Sequence, residues 1–215
     1  MKTAHIAVML LLSATLIFSS DKGFKPPPAG PAISYPAHET HNNEDVSIAI
    51  DPFTSADKAA IFKVKYREYG FLPVRLIITN DGNTPLMLDD MKIEYITGER
   101  EKLEPAVLDD IFRRISRPEK AVSRPKIQLP IPMGHGKDPV GKEARDEVPV
   151  AMFSKVPVTP HSTNSGFLFF DVSGISDPED GAHIYISGIK AGTQELFYFD
   201  IPLRPDQQPN QPPSK

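Results

Sequence analysis

Residues 71–97 read FLPVRLIITNDGNTPLMLDDMKIEYIT, and this stretch decides the fold class. Leu72, Val74, Leu76 and Ile78 fall at alternate positions of the first run. In the second, Met91, Ile93 and Tyr95 share one face, with Lys92 and Glu94 on the other. Asn80, Asp81, Gly82, Asn83 and Pro85 supply turn chemistry between them. A period of two places apolar side chains on one side of an extended strand. The stretch therefore predicts a hairpin of half-buried antiparallel strands, and with it an antiparallel β-sandwich.

Further β-runs lie at 46–50, 150–154, 166–172, 183–189 and 195–203, with a weaker one at 59–66. GFLFFDV (166–172) is nearly continuous apolar, as a central strand requires. AGTQ, between HIYISGI and ELFYFDIPL, predicts a tight turn through Gly192. Short strands separated by turn signals match an immunoglobulin-like sandwich. One helix interrupts them. Pro105 suits a first helical position, and Leu108, Ile111, Phe112 and Ile115 form an apolar stripe. Asp109 and Asp110 precede Arg113, Arg114 and Arg117 in the sense the helix dipole favours. This helix is expected to cover an open end of the sandwich.

From 117 to 149 the chain carries Pro118, Pro125, Pro130, Pro132, Gly134, Gly136, Pro139 and Gly141 among charges. So long a connection is usually functional or disordered. The expected organisation is a signal peptide or N-terminal anchor at 1–20 and a Pro-rich leader at 21–45. An immunoglobulin-like sandwich follows at 46–203, with an insertion at 104–149, and then a disordered tail at 204–215. Residues 21–39 of the leader and the tail at 204–215 are expected to be dispensable for folding.

Composition sets the class. A chain of 215 residues is long enough for one buried core, and its 23 prolines favour loops and edges over helices. A net charge of -4 provides no general attraction to nucleic acid. Lys2 followed by the apolar run at 6–18 has the shape of an export signal; an uncleaved anchor is the alternative. The sequence has no cysteine. That removes thiol chemistry, disulfides, Cys-ligated metals and N-terminal lipidation, and suggests a bacterial extracytoplasmic protein.

PVRLIITNDGNTPLML, followed by SGFLFFDVSG and ELFYFDIPL, resembles a group of secreted bacterial immunoglobulin-like sandwich domains of uncharacterised function. The resemblance covers roughly 66–203. It implies a fold and a compartment and transfers no catalytic residue.

Candidate chemistry is sparse. His38 and His41, beside Glu44 and Asp45, are weak metal candidates, as are Met133 and His135 in the long loop. Asp177, Glu179 and Asp180 before Gly181 lack calcium-loop spacing. Arg113, Arg114, Arg117, Lys120 and Arg124 form a basic stretch that could meet an acidic partner. His161, Ser162, Ser165 and Asp171 lie close in sequence, without a nucleophile elbow. No cofactor is expected. The reading is a non-enzymatic, exported binding domain. Its partner is an envelope protein or surface component, met at a sheet edge or through the helix and long loop, and not a nucleic acid. A periplasmic metal-binding protein and a strand-donating assembly chaperone are the alternatives.

Overall fold

The computed structural model describes residues 23–116 and 140–204. The strands are β1 (Ala37–His41), β2 (Val46–Pro52), β3 (Phe71–Asn80), β4 (Leu86–Met87), β5 (Lys92–Ile96) and β6 (Lys102–Leu103), then β7 (Ser162–Asp171), β8 (His183–Ser187), β9 (Lys190–Ala191), β10 (Gln194–Glu195) and β11 (Phe199–Pro202). The helices are α1 (Ala56–Ala59), α2 (Leu108–Ser116) and α3 (Lys142–Ala151). One four-stranded sheet runs β1-β2-β3-β7, a second runs β11-β8-β5-β6, and a small third runs β10-β9-β4. All their pairings are antiparallel, so the protein is all-β with a few helices.

The two larger sheets share one core. Leu72, Val74, Leu76, Ile78, Leu168 and Phe170 come from the first, and Ile93, Tyr95, Ile184, Ile186, Phe199 and Ile201 from the second. The alternation in 71–97 was thus a correct guide to the buried face, but not to the pairing. β3 pairs with β2 and β7, whereas β5 pairs with β8 and β6. The expected hairpin is instead an arch that carries the chain from one sheet to the other. Asn80 shapes it. Its side-chain oxygen accepts from the Gly82 amide (3.0 Å), and its amide donates to Thr84 O (2.9 Å) and Val158 O (3.0 Å). Period-two patterning specifies a face; an arch and a hairpin use the same pattern.

β3 is buried along its whole length, on both faces. Its second face carries Phe71, Arg75, Ile77 and Thr79, and a further layer covers it. Phe71, Phe167 and Phe169 pack there against Phe62, Tyr66, Ile111, Ile115, Val148 and Ala151. Helix α2 forms where its stripe placed it, with Ile111 and Ile115 buried. It lies over this sheet face rather than an open end.

Three other expectations are corrected. The run at 59–66 is not a strand; α1 precedes it and a 3-10 turn, Tyr66–Tyr69, follows. The run at 150–154 begins as the end of α3, which also claims 142–149 from the expected loop. The leader is not a solvated tail. Phe24 and Ala32 are buried, the Ala32 amide donates to Thr79 Oγ1 (2.8 Å), and Ala37–His41 forms the edge strand β1. Arg75, buried without a carboxylate partner among the described residues, donates to Pro27 O and Ser165 Oγ and lies over the Phe167 ring. Residues 23–35 are therefore a strap across the outer face of the first sheet. The signal region, residues 117–139 and the tail beyond Arg204 lie outside the described residues.

Glu147 secures the added layer. It projects from α3, is 1% exposed, and accepts from the Lys63 amide (2.6 Å), the Val64 amide (3.2 Å) and the Tyr66 hydroxyl (3.0 Å). Burial, and then the adjacent Glu147 carboxylate, push the Tyr66 phenol well above its ordinary pKa, so it remains a donor.

Candidate binding groove

The candidate site begins with a proline. β6 pairs with β5 only at Tyr95↔Leu103 and Ile96↔Lys102. Continuing that register would set Pro105 opposite Ile93. The Thr97 amide donates to Glu101 O (2.9 Å), which fixes the alternation: Thr97, Tyr95 and Ile93 direct their main-chain groups toward β6. Pro105 has no N–H to offer Ile93, so the ladder stops there. The chain then crosses to the first sheet, where the Ala106 amide donates to Phe169 O (2.7 Å). Ile93 keeps an outward N–H and C=O with no partner among the described residues.

A second segment crosses on the far side. The Phe153 amide donates to Phe167 O (2.9 Å), and Met152 bridges Phe167 in parallel. Gly166 permits this approach, because a Cβ there would lie 2.4 Å from Phe153 Cα. Between the two crossings and the open edge of β5 lies a groove of about 490 Å³. Phe167, Leu168 and Phe169 line it together with Ile93, Val107, Leu108 and Met152. Lys92 and Lys155 stand toward Met91, where Lys155 Nζ donates to Met91 O (2.6 Å); Glu104 and Glu94, the latter paired with Lys102 at 2.8 Å, stand toward β6. Its size is that of a ligand site, and its apolar lining with few polar groups is typical of one.

The residues singled out from the sequence lie elsewhere. Arg113 is paired with Asp110, and Arg114 with Asp171 and Ser173. They line an adjoining cleft of about 520 Å³ that shares Glu104, Pro105, Ala106 and Val107 with the groove, and Asp110, Asp171 and Glu104 balance their charge. Arg117, Lys120, Arg124, Met133 and His135 lie outside the described residues.

His38 and His41 are three apart on a strand and so point to opposite faces. His38 Nδ1 meets Tyr35 O (2.6 Å), while both nitrogens of His41 meet carboxylates, Glu44 at 2.8 Å and Glu39 at 3.1 Å. Those carboxylates also accept the Phe197 and Asp200 amides (3.0 and 2.7 Å), and the imidazole stacks on Phe199 at 3.9 Å. The cluster joins β1 to β11, the edges of the two large sheets. Among the described residues no group of three His, Asp or Glu side chains is placed to hold a metal ion.

Asp177 and Glu179 take Arg204 as their cation. His161, Ser162, Ser165 and Asp171 bond Asn83, Thr159, Arg75 and Arg114 respectively, and form no triad. The groove residues were missed because each has an ordinary role in the sequence. The only available signal was Pro105, two residues past the end of β6 at Leu103, and it also reads as the start of a helix.

The chain matches no family model and no curated protein. It is similar to a solved structure, that of a functionally unknown protein from Listeria monocytogenes EGD-e. The two are 13% identical, the match spans 65% of this chain and 59% of that one, and the TM-score is 0.28. Neither fold nor function is taken from it.

Proposed function

We propose that this protein is a non-enzymatic binding module of the bacterial cell envelope. It captures an extended segment of a partner protein by adding it as a strand to β5. One observation carries the reading: the main chain of Ile93 is left open beside an apolar groove. A guest strand would gain main-chain hydrogen bonds there, and the groove would take its alternate side chains. The scaffold reads as an immunoglobulin-like sandwich. Strands β2-β3-β7 facing β11-β8-β5-β6 support this, since they correspond to A-B-E against G-F-C-C′ of that fold. Export rests on the character of residues 1–20.

The test uses an array of N-acetylated hexapeptides that alternate Val or Leu with Thr. Val107 is 60% exposed, lines the groove and immediately precedes α2. Val107→Asp introduces a good N-cap residue, so stability should hold or rise by up to about 1 kcal/mol. It also places a charge at the apolar groove, so retention of the array peptides should fall sharply. Unchanged retention by a folded Val107→Asp protein would move the binding surface away from this groove.

A further inference from the structure

The groove has a direction. We infer that its guest is the free C-terminus of a protein chain, whose α-carboxylate is held by Lys92 and Lys155; this deepens the reading just given and rests on it. Each pairing in the sheet of β5 is antiparallel. A strand added at Ile93 in the same sense runs opposite to β5. Its N-terminal side then lies toward Tyr95, where β6 already occupies the edge, and its C-terminal side points toward Met91.

That second end is closed. Lys155 reaches across and donates to Met91 O at 2.6 Å, which removes the outward acceptor just before β5. A guest cannot continue the ladder past this ammonium group. It reaches two lysines at the point where it must stop, and a terminal carboxylate is the group that satisfies both the stop and the charge. Asp90 pairs chiefly with Lys190, at 2.5 Å, and only weakly with Lys92. Glu94, on the β6 side of the groove, is paired with Lys102 at 2.8 Å and adds no free charge there. The antiparallel direction of the guest and the two lysines where it stops therefore select the same terminus.

The experiment uses the full chain and two arrays of the same N-acetylated hexapeptides, one set ending in the free carboxylate and the other in the amide. The carboxylate set should bind at least about tenfold more tightly, and the preference should shrink as salt is raised. Lys92→Gln combined with Lys155→Gln should bring carboxylate and amide peptides level while leaving the melting midpoint near its original value, since both lysines are exposed. Equal binding of the two sets by the unmodified protein would overturn the C-terminus assignment and leave strand capture standing. Binding of neither set would overturn strand capture itself, and this inference with it.

Discussion

Glu147→Ala should lower stability by about 3–5 kcal/mol, because it leaves several buried donors without an acceptor. The Lys63 and Val64 amides and the Tyr66 hydroxyl all converge on this side chain. An orphaned buried donor costs about 1–3 kcal/mol, and partial access of water keeps the sum below three full penalties. For a chain of this size the melting midpoint should fall by roughly 10 °C or more. Tyr66→Phe is the control. It removes one donor and leaves the carboxylate its two amides, so it should cost only about 1 kcal/mol. Thermal and denaturant unfolding of both variants would decide the matter. A Glu147→Ala protein no less stable than Tyr66→Phe would mean that α3 is held by its apolar contacts alone.

Deleting residues 23–35 should also destabilise strongly, by an amount on the order of 4 kcal/mol. Phe24 stacks on Phe62 at 5.6 Å, and Ala32 covers Ala49 and Ile77, all three fully buried. Removing them exposes that apolar surface. Arg75 would also lose the Pro27 carbonyl, and Thr79 the Ala32 amide. The expected fall in melting midpoint is about 8–16 °C. A truncated protein that melts with the full chain would return these residues to the status of a spacer.

That second result runs against the sequence, where a run of prolines signals a solvated leader. The reading failed because the segment's contribution comes from few residues. Phe24 and Ala32 carry the burial, and Pro27 contributes a carbonyl, which every residue has. The helix α3 was hidden for a related reason. Its buried face is Ala144, Glu147, Val148 and Ala151, and a carboxylate at the centre of the stripe breaks the apolar pattern that reveals α2.

Where burial depends on apolar side chains at a regular period, the sequence was a faithful guide. Leu76, Ile78, Ile93, Phe169, Ile186 and Phe199 are all buried, and the turn at Gly192 joins β9 to β10 with a positive φ of 61°. Phe169 nevertheless lies in the layer under the helices, not between the sheets. The groove was almost illegible. It depends on a hydrogen bond that is missing opposite Ile93, and main-chain vacancies leave no mark on side-chain pattern.

The most direct test of strand capture is amide hydrogen exchange at Ile93, measured in the full chain with and without the hexapeptides that the array retains. In the free protein the Ile93 amide should exchange much faster than that of Tyr95, which shares its orientation but pairs with Leu103. Bound peptide should slow Ile93 by at least about tenfold while leaving Tyr95 nearly unchanged. An Ile93 amide as protected as Tyr95 before any peptide is added, or one that bound peptide does not slow, would contradict the account.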